Sequence, residues 1–147
     1  MEKTILGNDL EICRILNGMW QVAGGHGQID SKLAIQEMQK YQELGFTTWD
    51  LADIYGPAES LIGDFNKKDE HDFQAFTKFV PNPGPMSNSI VTYYIEESLK
   101  KMNLKCIDLL QFHWWDYHDS SYLDALQHLS KLQNEGKIKY LGLTNFD

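Results

Sequence analysis

Four side chains in this 147-residue chain could share one piece of chemistry: the carboxylate of Asp50, the phenol of Tyr55, the amine of Lys78 and the imidazole of His113. A free phenol has a pKa of about 10 and is a poor acid near neutrality. A nearby ammonium favours the phenolate and lowers that value. A carboxylate beside the lysine keeps the amine charged and in place, and a histidine can orient a carbonyl oxygen or share its proton. Such a set would protonate an oxygen that gains negative charge, which suits reduction of a carbonyl by hydride. Singly, each has a plainer reading: a strand-end turn or cap for Asp50, a packing ring for Tyr55, a solvent-seeking amine for Lys78, a satisfied core histidine for His113. The weight lies in the combination.

The elements that must position them follow from the hydropathy pattern. Thr4-Ile5-Leu6, Gly7-Asn8-Asp9 and Leu10-Glu11-Ile12 read as a β-hairpin over residues 4–12. Arg14 to Trp20 reads as a first core strand, ending at Gly18. Helices are expected from Asp30-Ser31 to Leu44, with Ala34, Met38 and Tyr41 as the apolar stripe, over 58–67, with Leu61, Ile62 and Phe65 inward, and over 87–102, with Val91, Ile95, Leu99 and Met102 inward. A fourth, over 121–135, would turn Leu126, Leu129 and Leu132 inward. Strands are expected over 46–50, 73–79, 107–112 and 138–143. Gly45 and Gly136 sit where helices stop, and Pro81-Asn82-Pro83-Gly84-Pro85 must be loop.

Strands thus begin near 15, 46, 74, 107 and 139, one βα unit roughly every thirty residues. That repeat builds either a doubly wound sheet or a (β/α)8 barrel, and periodicity does not choose between them. Gly24-Gly25-His26-Gly27 lacks the spacing of a dinucleotide-binding glycine loop, which weakens the doubly wound reading. A full barrel needs about 250 residues, so five strands and four helices leave the architecture unfinished at Asp147. In either fold, polar residues at the C-terminal strand ends gather on one rim. Those residues are Asp50, Lys78, His113 and Thr144-Asn145, with Tyr55 in the loop that follows Asp50.

Composition narrows the function classes. A formal net charge of −8 argues against nonspecific binding of nucleic acid or anionic membrane. Apolar runs are too short for a membrane span, and Met1 to Leu10 lacks the pattern of a secretory leader. A cytoplasmic, reducing location is the expectation. Cys13 and Cys106 have no metal or redox spacing and are expected to be small buried side chains. His26, His71, His118 and His128 are expected on the surface or in packing, and no pair of histidines has a metal-ligand spacing on one helix.

At these same residues the chain resembles the aldo-keto reductase family. Gly45-Phe-Thr-Thr-Trp-Asp-Leu-Ala-Asp-Ile-Tyr-Gly56 is similar to the family signature holding its catalytic aspartate and tyrosine. Glu59 to Gly63 extends the match. Thr77-Lys78, Asp108-Leu-Leu-Gln-Phe-His113-Trp and Glu135-Gly-Lys-Ile-Lys-Tyr-Leu-Gly-Leu-Thr-Asn-Phe146 match, in order, the lysine, the histidine motif and a later segment. Leu51 stands where the family usually has Thr, Met19 where Thr is common, and Thr144 where Ser is usual.

The resemblance implies an incomplete (β/α)8 barrel and NAD(P)H-dependent reduction of an aldehyde or ketone, with Tyr55 as proton donor and NADP(H) as the expected cofactor. It implies that Thr144 and Asn145 hold the nicotinamide carboxamide, and that Met19, Trp20 and Asp50 line the cofactor's reactive end. Trp20, Tyr55, His113 and Trp114 would shape the substrate pocket. Segments gripping the adenosine phosphate would follow residue 147, so this chain is expected to be a fragment with weak activity or none. The alternative is a non-catalytic binding or regulatory module of the same fold, similar to the family's channel-β-subunit branch. Exposed barrel edges would favour self-association.

Overall fold

A computed structural model describes residues 1–24, 27, 29–67 and 72–146. The hairpin is formed by β1 (Lys3–Leu6) and β2 (Leu10–Cys13), antiparallel with Lys3 opposite Cys13 and Leu6 opposite Leu10. Gly7 turns the chain with φ +65°, a conformation that costs glycine little. β1 is exposed throughout, whereas β2 buries Leu10, Ile12 and Cys13. Leu10 and Ile12 cluster with Phe76 and Leu109, so the hairpin plugs one end of the sheet. Gln74 Nε2 donates to Glu11 O at 2.8 Å and Tyr140 Oη to Asp9 Oδ1 at 2.7 Å, which ties the plug down.

Five strands then form one parallel sheet in chain order: β3 (Asn17–Gly18), β4 (Thr48–Asp50), β5 (Gln74–Phe79), β6 (Ile107–His113) and β7 (Ile138–Thr144). Between them run α1 (Ser31–Glu43), α2 (Ala58–Asn66), α3 (Asn88–Met102) and α4 (Ser121–Asn134). Asp30 Oδ1 accepts from the backbone of Lys32 and Leu33 and starts α1, and Ser87 Oγ does the same for α3 through Ile90. The first strand is much shorter than the sequence suggests. Arg14 N still bonds back to Glu2 O in the hairpin. Farther on, the Asn17 side chain donates to the carbonyls of Phe46 and Thr48, at 3.0 and 3.3 Å, and reinforces a ladder to β4 that is only two residues long.

Strand side chains alternate between two environments. On the helix side, Trp49, Ala75, Phe79, Leu110 and Phe112 pack against Leu61, Ile62, Phe65, Val91, Ile95, Met102 and Leu129. The α3 stripe is buried as expected. In α4 the inward set is Ala125, Leu129 and Leu132, with Leu126 only partly covered. α2 and α3 approach so closely at Gly63 that a Cβ there would sit 1.9 Å from the Lys101 carbonyl oxygen. Cys13 is buried and Cys106 partly so; both are free thiols.

The α1 stripe is the exception to good burial. Met38 is covered, Ala34 is partly covered and Tyr41 is 46% exposed. These residues, with Ile15, Met19, Val22 and Trp49, line an open groove of about 530 Å³ on the β3 side of the sheet. No helix among the described residues is long and apolar enough to cross a membrane. His118 is exposed and His128 half-buried; His26 and His71 lie outside the described residues, as does Asp147.

Candidate active site

The site is built where β4, β5 and β6 end. The β4 ladder runs past its last strand residue: Leu51 N donates to Phe76 O at 2.7 Å, and Asp53 N to Lys78 O at 3.0 Å. The chain after Asp50 therefore stays laced to β5. The Asp53 carboxylate also accepts from Val80 N, at 3.1 and 3.2 Å, and clasps the next loop. Turns closed by Tyr55 N to Ala52 O and Ala58 N to Tyr55 O, both 3.0 Å, then place Tyr55 beside the strand ends.

Lys78 and Asp50 form the centre. Lys78 Nζ lies 2.7 and 2.8 Å from the two Asp50 oxygens and 2.9 Å from Leu51 O. All three ammonium protons thus have acceptors. The pair is shielded but not sealed, with side chains 12% and 29% exposed. Lys78 Nζ also stands over the Tyr55 ring, 5.4 Å from its centroid. The half-exposed Trp20 meets the same ring edge-on, with centroids 5.0 Å apart.

The electrostatics differ from the expectation for Tyr55. Its phenol is held above its ordinary value of 10, first by burial and then by the Asp50 carboxylate. Lys78 does not pull it down because its charge is spent on Asp50 and faces the ring rather than the hydroxyl. His113 is pushed below its ordinary 6.5 by burial and then by the Lys78 charge, so it is neutral at neutral pH. Burial raises Asp53 to about 6, and the nearby Glu59 charge adds to the effect.

Most of the residues singled out in the sequence lie at this rim. Met19 is buried, and its backbone N–H donates to Asp50 O at 2.9 Å. Thr144 ends β7 opposite His113. Asn145, with φ +65°, donates through Nδ2 to Trp114 O at 2.9 Å and accepts from Tyr117 Oη. Trp114 is not brought to the rim. It is fully buried, with its indole N–H donating to Asp116 O at 2.6 Å and its ring tilted against Phe112 and Tyr122. Since His113 faces the sheet interior, its neighbour must face the helices. Trp115, 46% exposed and edge-on to His113 at 5.4 Å, stands at the opening instead.

Gln111 is the site residue that the sequence reading missed. Its Nε2 donates to Asp50 Oδ1 at 3.2 Å, and its Oε1 accepts from Thr144 Oγ1 at 3.1 Å. The available signal was a polar side chain two residues before His113, hence on the same face, within the apolar stretch Leu109 to Phe112. Among the described residues no group of three or more His, Cys, Asp or Glu could hold a metal ion.

A parallel βα sheet with an ion pair, a phenol and an imidazole at its C-terminal rim defines the class: a parallel α/β protein whose polar side chains gather at the strand ends. The aldo/keto reductase family model matches residues 14–147, and the chain belongs to that family. A 6-dehydroglucose reductase of Agrobacterium fabrum is 30% identical, in an alignment covering 99% of this chain and 54% of the relative. An aryl-alcohol dehydrogenase of Pestalotiopsis microspora is 27% identical, covering 88% of this chain and 37% of the relative. The structure of an aldo-keto reductase of Bacillus halodurans in its holo form superposes with a TM-score of 0.81 at 24% identity, over 98% of this chain and 50% of that one. The fold is therefore that of part of a (β/α)8 barrel, and the chain spans between about a third and about half of these relatives' lengths.

Proposed function

We propose that this chain carries the acid–base face of a nicotinamide-dependent carbonyl reductase, with Tyr55 as proton donor. The observation that carries the reading is the Lys78–Asp50 pair, at 2.7 and 2.8 Å, set over the Tyr55 ring at the strand ends. A raised phenol suits the task. Tyr55 stays protonated across the neutral range, and an alkoxide formed at a reduced carbonyl is far more basic than a phenolate. The proton therefore moves downhill without a lowered pKa. Lys78, 5.4 Å from the centre of the Tyr55 ring, keeps a positive charge beside the anionic ring left behind, with Asp50 holding the ammonium in place. His113, neutral and at the same rim, can donate one N–H to the substrate oxygen and orient it.

The residues present fit the nicotinamide end of NADP(H). Thr144 offers a hydroxyl, Asn145 an exposed amide and the exposed Trp20 an apolar face, while Met19 is packed in the core and reaches the rim through its backbone alone. When bound, such a cofactor supplies the hydride; the chain's own residues bind, orient and deliver the proton. The substrate class is an aldehyde or ketone. NADPH oxidation, followed by the absorbance of the reduced nicotinamide, against a panel of aliphatic and aromatic aldehydes tests the reading. Aldehyde-dependent oxidation lost in Lys78→Met is the expected result. Oxidation unaffected by Lys78→Met would remove the basis for it.

A further inference from the structure

Gln111 sits where two clusters meet. Its backbone is in register with Lys78 on one side and Gly142 on the other. Gly142 lays no side chain beside it; even a Cβ there would be 3.8 Å from Gln111 Cγ, an ordinary contact. The amide can thus span from Asp50 to Thr144, with bonds of 3.2 and 3.1 Å. Its orientation has one solution. An ionised carboxylate only accepts, so the Gln111 NH2 must face Asp50 and its carbonyl must face Thr144. The Thr144 hydroxyl has a single proton, and that proton is committed to the carbonyl. Toward the open rim Thr144 then offers lone pairs only.

We propose that Gln111 is a positioning residue that fixes Thr144 as a hydrogen-bond acceptor, so that the site takes a carboxamide-bearing nicotinamide and disfavours its carboxylate analogue. This inference rests on the nicotinamide reading given above. A carboxamide NH2 donates to the Thr144 lone pairs at no cost to the Asp50–Gln111–Thr144 chain. A carboxylate in the same place meets lone pair against lone pair. To be bound it must turn the Thr144 hydroxyl around and leave the Gln111 carbonyl without its donor. That loss amounts to about one neutral hydrogen bond, or roughly tenfold in affinity. The Asp50 charge also disfavours a carboxylate, but it does so whatever stands at 111, so a change at 111 isolates the polarity effect.

Two measurements test the proposal. In the first, NADP+ and the analogue with a carboxylate in place of the carboxamide are titrated against the wild-type chain and Gln111→Leu. The wild type should favour the carboxamide by about tenfold or more. Gln111→Leu should shrink that ratio by about tenfold, because the freed hydroxyl can then donate to either ligand and only the Asp50 charge still discriminates. A wild-type ratio retained in Gln111→Leu overturns the proposal. The second measurement needs no ligand and no change at 111. In the labelled chain, Thr144→Val should move the Gln111 side-chain carbonyl resonance, and Asp50→Asn should move its NH2 pair. A carbonyl resonance that ignores Thr144→Val overturns the proposal independently. If that coupling is present and the wild type binds neither dinucleotide, the nicotinamide reading fails and the ligand assignment fails with it.

Discussion

At the scale of single residues, the account turns on where one ammonium spends its charge. Lys78 donates to both oxygens of Asp50 and to Leu51 O, which leaves the Tyr55 hydroxyl without a cation to lower its pKa. Two consequences follow for pH. Reduction should hold its rate upward through neutrality and fall only beyond about pH 10, as the raised phenol ionises. His113 is depressed, so its protonation should show only below 6.5. A kcat/KM profile checks both; an alkaline limb near pH 8 would mean a lowered phenol after all. Lys78→Met leaves the half-buried Asp50 carboxylate without its main partner. It should destabilise the chain by about 2–3 kcal/mol in urea unfolding, besides removing activity. The four catalytic candidates were legible from residue type and strand-end position. Gln111 was not, because an amide inside an apolar strand reads as an interruption until its two partners are known. Trp114 was misplaced although alternation along β6 already turned it away from His113.

At the scale of elements, two contacts brace the Tyr55 loop and the end of β5, which carries Lys78. The first is the α2–α3 approach at Gly63. Its missing Cβ would lie 1.9 Å from a backbone oxygen, which cannot move cheaply. Gly63→Ala should therefore cost about 2–3 kcal/mol, read as a lowered urea midpoint. The second is the Asp53 clasp. Burial moves this carboxyl from 3.8 to about 6, so the folded chain binds its proton more tightly than the unfolded chain does. The sign follows: its contribution is fullest below pH 3.8 and is lost as pH rises through about 6. Ionised Asp53 thus costs the fold on the order of 3 kcal/mol at most. An Asn oxygen can still accept from Val80 N. Asp53→Asn should raise the melting temperature at pH 7.5 and change it little at pH 4. Helix and strand order could be read from hydrophobic period, whereas the shrinkage of the first strand could not. Arg14 N stays bonded to Glu2 O in the hairpin, and pairing with β4 begins only at Asn17, partners with no local signature.

At the scale of the whole molecule, the sheet ends in β3 and β7, each paired on one side only among the described strands. Ile15 and Leu143 beside them are 60% and 53% exposed, and the groove along α1 is apolar and open. Such edges and faces favour association. The chain should show concentration-dependent self-association in sedimentation, reduced by Ile15→Lys; a monomer at all concentrations would contradict this. The βα repeat made the parallel architecture legible, but it did not distinguish an open sheet from a barrel. That choice came from family motifs and from the superposition with a barrel structure. The central claim is that Tyr55 delivers the proton. In Tyr55→Phe the ring that meets Trp20 edge-on and lies under Lys78 is kept, and only the hydroxyl is lost. NADPH-dependent aldehyde reduction should then fall by about a hundredfold or more with NADPH affinity unchanged. Reduction at the wild-type rate would contradict the account.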